Sequence, residues 1–272
     1  MGRTKPVILK RVLFTVSLFT AVITAFLLVD NAQAGKKSRE RLNTVRNTYE
    51  KGVEKLEAAD DTSSKSDVHV DINELSAASL QIKNMQEKNP ELAGWLKIPG
   101  TGIDHPVMLK ENDTEFYLSH GFDRKEDKNG CLTLDGRTSG ELSDDILIIH
   151  GHNLRSGEMF GSLKDYLDES FLYRHDVIEL DTGSDRRYYQ IIAVVLTTAE
   201  REEDGFSFYD IIDFRDEEEF QSFIDRAKQA SVHRIAATAL YGTKLMILST
   251  CEYSRNDGRL LVIAKQMPAL AD

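Results

Sequence analysis

From Trp95 onward the chain is cut into short apolar stretches set apart by Gly, Asn and Asp: Ile146 to Ile149, Val177 to Leu180, Tyr188 to Leu196, Leu245 to Leu248 and Leu260 to Ala264. None is long enough for an ordinary helix, and their aliphatic and aromatic content suits strands. Many short strands punctuated by turn residues predict a closed barrel or a sandwich. One helical interruption stands among them. Phe220, Phe223, Ile224 and Ala227 form an apolar face behind the acidic start Asp216-Glu217-Glu218-Glu219, which complements a helix N-terminus. It falls inside a long insertion from about Thr198 to Val232.

The first part of the chain has a different texture. Leu42, Val45, Tyr49, Val53 and Leu56 recur at three- and four-residue intervals among charged neighbours, the pattern of an amphipathic helix that forms a stalk or lies on the domain. Asp60 to Asp67 (DDTSSKSD) has no apolar residue and reads as a linker. A second helix is expected from about Ile72 to Lys88, opened by Asp71 with Glu74 three positions later and stopped before Pro90.

Charge narrows the classes of function. With 34 Lys and Arg against 45 Asp and Glu, the net charge of −11 lacks the basic face of a nucleic-acid binder. The first 39 residues reverse that balance, carrying Arg3, Lys5, Lys10, Arg11, Lys36, Lys37 and Arg39 against Asp30 alone. Between these basic groups, Val12 to Val29 is an 18-residue run without a charge. As a helix it spans roughly 27 Å, close to a bilayer core. The expected layout is a cytoplasmic tail over 1–11, a signal-anchor over 12–29, an extracytoplasmic stalk or linker over 30–71 and a catalytic domain over 72–272. The competing reading is a cleaved signal ending near Ala32-Gln33-Ala34. Both export the rest of the chain.

Two cysteines, Cys131 and Cys251, lie 120 positions apart and form neither a CxxC pair nor a zinc-spaced cluster. Lys244 to Cys251 is an apolar strand ending on a thiol. After the turn residues Asn256-Asp257-Gly258 the chain returns through Arg259 into another apolar strand. A strand, a turn and a returning strand bring Arg259 near Cys251, and a fixed cation beside a sulfur favours the thiolate. Ile146 to Asn153 is a second apolar strand, delivering His150 and His152 around Gly151. Cysteine transferases need a histidine close to the thiol in space though distant in sequence. By themselves a cysteine at a strand end is ordinary packing and a histidine there an ordinary turn residue. The pair His150 and His152 could also ligate zinc, but no third ligand is identifiable.

Taken together, Ser249-Thr250-Cys251 after an aliphatic strand, with Arg259 opening the next, resembles the sortase signature in its class B form. Gly151-His152-Asn153 and Met159-Phe160-Gly161 match the family's histidine region. Asn89-Pro90-Glu91, Gly94 to Thr101 and Ile103 to Val107 are similar to its entry into the barrel. The resemblance covers about Leu75 to Gln266. It departs at His150, where related sequences often carry Tyr, and Arg255 rivals Arg259 for the arginine.

The resemblance implies a mainly β (α+β) fold, a closed eight-stranded barrel with N-terminal helices and a helix in the insertion before the cysteine strand. It also implies a membrane-anchored cysteine transpeptidase on the cell-wall side. Cys251 would be the nucleophile, His152 the acid/base and Arg259 the oxyanion stabiliser, assisted by a backbone N–H near Glu252. Asn153, Ser249, Thr250 and Glu252 are the candidate substrate-binding residues. The implied partners are secreted proteins with a C-terminal sorting motif of the NPxTx or SPxTx kind, cleaved after Thr, and an amine of peptidoglycan. The chemistry requires no metal or organic cofactor. The alternatives are an exported binding or scaffold domain with an inert thiol, and a secreted cysteine hydrolase; the papain-like order, cysteine before histidine, is the reverse of the order here.

Overall fold

A computed structural model describes residues 5–63, 76–198, 211–254 and 257–268, with side chains in the first helix at Ser17 and from Phe19 to Ala59. Eight strands close into one barrel in the order β1-β2-β3-β4-β7-β8-β6-β5. They are β1 (Leu92–Lys97), β2 (Asp104–Met108), β3 (Leu132–Leu134), β4 (Ile146–His150), β5 (Val177–Thr182), β6 (Arg186–Thr198), β7 (Leu245–Cys251) and β8 (Gly258–Gln266). Pairing is antiparallel except for β2 with β3 and β4 with β7.

The wall formed by β4, β7 and β8 is buried on both faces. Leu147, Ile149, Met246, Leu248, Leu260 and Val262 point into the barrel core. Their alternates Ile146, Ile148, Leu245, Ile247, Leu261 and Ile263 face outward, under α4 (Glu217–Ala230). Alternation sends successive side chains to opposite faces, so strands covered on both sides read as continuous apolar runs. That is why ILII, LMIL and LLVIA carry no polar alternates. α4 starts at its cap Asp216, whose carboxylate accepts from the Glu219 N–H, and lays Phe220, Phe223, Ile224 and Ala227 on the wall. The first part of the insertion, 199–210, lies outside the described residues.

Two N-terminal helices cover the opposite side. α1 (Lys5–Ser63) is continuous, and Leu42, Val45, Tyr49 and Val53 pack toward the barrel. The Tyr49 ring stacks on Trp95 at 4.3 Å between centroids, and its hydroxyl donates to Asp181. Arg186 pairs with the same carboxylate. Ser38 donates to Asp127, and Arg46 Nε to the Asp104 carbonyl at 3.0 Å. The polar run 60–67 begins as the end of α1 and continues outside the described residues, where Asp71 and Glu74 also lie. α2 runs Ala77–Gln86 and is capped by Ser76, whose hydroxyl accepts from the Ser79 N–H; the start expected at Ile72 gives way to this local cap. Among the described residues no helix is long and apolar enough to cross a membrane; side chains 12–16 of the uncharged run are outside that description.

Candidate active site

Strand register gathers the chemical groups at one edge of the β4-β7-β8 wall. β4 and β7 run parallel with His150 opposite Ser249, so both chains leave the sheet at the same end. β7 and β8 run antiparallel with Cys251 directly opposite Arg259. Outward alternation continues from Leu245 and Ile247 to Ser249 and Cys251, beyond the reach of α4. The thiol, the arginine and both histidines line one cleft, closed on its far side by Thr114, Glu115 and Leu118.

Three cross-strand bonds fix the histidine loop to the cysteine strand. The Gly151 N–H donates to the Ser249 carbonyl at 3.2 Å, the Thr250 hydroxyl to the Gly151 carbonyl at 2.7 Å, and the Asn153 side-chain amide to the Cys251 carbonyl at 2.8 Å. Glycine is required at two positions of this loop. A methyl group at Gly151 would meet Leu132 Cδ2 at 2.5 Å and Phe160 Cδ2 at 2.8 Å, and one at Gly161 would collide with the Leu154 carbonyl. The ring of His152 is held through Nε2, 2.7 Å from the Leu118 carbonyl. A carbonyl only accepts, so Nε2 carries the hydrogen and Nδ1 is left to exchange a proton.

The Arg259 guanidinium is steadied by its own turn, with Nη1 donating to the Gly258 carbonyl at 3.0 Å. Cys251 is half-buried and Cys131 buried, and both are free thiols. Cys131 sits under α1 in a small cavity with Leu42, Val45 and Phe122, and burial pushes its thiol pKa far up, so that it holds its proton. Among the other histidines, His175 and His233 are tied to the carbonyls of Pro99 and Tyr166, which gives them structural partners.

Two of the expected residues are engaged in bonds of their own. The Glu252 N–H, expected beside the oxyanion, donates to the Gly258 carbonyl at 2.8 Å and is consumed by the β7-β8 ladder. The Glu252 carboxylate accepts from Ser254. Thr250, expected to bind substrate, lines the cleft but is buried, and its hydroxyl is bonded to the Gly151 carbonyl. Ser249 is buried at the cleft floor, and Arg255 lies outside the described residues. Sequence reasoning missed Asp135, which lies 3.6 Å from His150, and the Leu118 carbonyl. Asp135 follows the alternating Leu132-Thr133-Leu134 and could have been placed on the outer face by that period. A backbone carbonyl leaves no trace in residue type.

Comparison with known proteins agrees with this geometry. The family model described as Sortase domain matches residues 96–267. Sortase B of Listeria monocytogenes is 29% identical over 187 residues, 68% of this chain and 73% of the relative. Sortase B of Staphylococcus aureus is 29% identical over 68% of this chain and 74% of its own. The solved Staphylococcus aureus sortase B-substrate complex superposes with a TM-score of 0.69 at 26% identity, covering 86% of this chain and 98% of that one.

Proposed function

Because the chain belongs to the sortase family, in its class B branch, and is a cell-wall cysteine transpeptidase, we propose that Cys251 is its nucleophile, His152 its acid/base and Arg259 its oxyanion stabiliser. The observation that carries this assignment is the register: Cys251 stands opposite Arg259 while the parallel β4 delivers His152 to the same edge. The Cys251 thiolate attacks the carbonyl carbon of the Thr in a sorting peptide. Charge develops on the carbonyl oxygen, and the guanidinium of Arg259, which keeps its charge and offers five donors, stabilises it. Nδ1 of His152 gives its proton to the departing amide nitrogen, the Thr–X bond breaks, and a thioacyl-enzyme remains. An amine of peptidoglycan then attacks the thioester carbon. His152 takes back the proton, Cys251 leaves as thiolate, and a new amide joins the protein to the wall.

The sorting motif is of the NPxTx or SPxTx kind. Asn153 fixes the end of the cysteine strand, and Ser249 lies on the floor along which the peptide extends. Residues 12–29 form the single-pass anchor, with 1–11 on the cytoplasmic side and the barrel facing the wall; the uncharged run and its basic flank support this layout.

The test uses the full chain in detergent with quenched fluorescent NPxTx and SPxTx peptides, with and without an added amine. Cys251→Ala should abolish turnover and Cys131→Ala should leave it intact. Arg259→Ala should lower kcat by about 10²-fold to 10³-fold, the usual effect of losing an oxyanion donor. Turnover by Cys251→Ala at the wild-type rate would end the assignment.

A further inference from the structure

A second ionisable pair shares the cleft and takes no part in the steps above. His150 stands one β-step before the row that holds Cys251 and Arg259, opposite Ser249 on β7 and Thr133 on β3. Outward alternation on β3 continues from Thr133 to Asp135, so both line the cleft with His150. Nε2 of His150 is 3.6 Å from Asp135 Oδ2. Arg137 clamps that carboxylate from the other side: its Nε donates to Oδ1 at 2.8 Å, its Nη2 to Oδ2 at 3.0 Å and its backbone N–H to Oδ1 at 3.0 Å.

The electrostatics fit a ring held in place. Burial alone would raise the Asp135 pKa, but the hydrogen bonds from His150 and Arg137 outweigh it and hold the carboxyl well below the usual carboxylate range. The carboxylate is the deeper partner, its side chain 15% exposed against 25% for the imidazole. Carboxylate, imidazole and open cleft thus follow one another outward, the order in which a buried acid fixes the orientation of a working histidine.

We propose that His150, oriented by Asp135, is a specificity-determining subsite of this cleft and donates a hydrogen bond to a carbonyl or carboxamide oxygen of the bound sorting peptide. The inference rests on the cleft being the peptide-binding cleft of the transpeptidase. It predicts an effect on peptide affinity, separate from the proton transfer of His152. Nε2 faces Asp135, so Nδ1 is the ring nitrogen left to meet the peptide.

The experiment measures kcat and KM separately for peptide cleavage by the full chain in detergent. His150→Phe should raise KM about tenfold, the worth of one well-formed hydrogen bond, with kcat within about twofold of wild type. His150→Gln keeps a donor and should recover most of the lost affinity. Asp135→Asn should raise KM less than His150→Phe does. An unchanged KM in His150→Phe, or a loss confined to kcat, overturns the proposal. His150→Gln provides the decisive comparison if the Phe variant melts early: failure of Gln to outbind Phe at equal melting temperature also overturns it. Residual turnover by Cys251→Ala would instead count against the transpeptidase assignment, so the two failures are distinguishable.

Discussion

His105 is the least comfortable residue in the barrel. It stands opposite Leu96 on the inward side, is fully buried, and neither ring nitrogen has a hydrogen-bond partner among the described residues. Burial, with the Arg46 charge adding to it, pushes its pKa down to about 3 from an ordinary 6.5. The native imidazole is therefore neutral over a range where the unfolded chain takes up a proton. The penalty this places on the native state is absent above about pH 6.5 and grows as pH falls toward about 3. Thermal melts of wild type and His105→Phe across that interval should diverge, with wild type losing melting temperature more steeply on acidification. At neutral pH the Phe variant should match or exceed wild type, since it buries no unsatisfied nitrogen. Parallel slopes for the two proteins would show that His105 does not titrate on unfolding.

The docking of α1 is the element on which the side opposite α4 depends. Tyr49, Trp95, Asp181 and Arg186 form one unit that joins the helix to β1, β5 and β6. Asp181 is almost wholly buried and takes hydrogen bonds from both partners. Asp181→Ala should lower the unfolding free energy by about 1–3 kcal/mol, chiefly because it strips the buried Tyr49 hydroxyl of its acceptor, while the Arg186 guanidinium, 33% exposed, can turn to water. Tyr49→Phe keeps the stack and the ion pair and should cost about 1 kcal/mol. Chemical denaturation of the two variants checks the ranking, and equal losses would mean that the Tyr49 hydroxyl bond accounts for the whole effect of the carboxylate. The amphipathic spacing of Leu42, Val45, Tyr49 and Val53 made this helix legible in sequence, but its partner was not. Apolar periodicity marks the buried stripe of a helix; what covers that stripe is settled by pairings as remote as Tyr49 with Asp181, separated by 132 positions.

At the scale of the whole molecule, strands β4 to β8 were readable because they announce themselves as apolar runs; closure into a barrel rather than a sandwich came with the motif resemblance, as did the choice of Cys251, His152 and Arg259 that the register brings to one edge. The Asp135 pair and the loss of the Glu252 N–H to the ladder were not readable, since both depend on register between separate strands. The N-terminal helix is part of this closed body and covers the cavity where Cys131 lies. Deleting residues 1–63 should expose that thiol: a colourless thiol reagent should modify Cys131 slowly in the full chain and rapidly in the truncated one, with Cys251→Ala as background to keep the signals apart. Slow labelling of Cys131 in both would show that the barrel alone shields it.

The parallel pairing of β4 with β7 has a consequence in time. Thr250 and Gly151 meet across 99 positions, and closing so long a loop costs entropy before any contact repays it. Local hairpins such as β7-β8 can form early and bring Cys251 beside Arg259, while His152 waits for the distant strand to arrive. Synthesis from the N-terminus makes the His152 strand well before the Cys251 strand. The two proposed partners in proton transfer and attack meet only when this non-local pairing is made, so an incompletely folded chain carries a cysteine apart from its histidine.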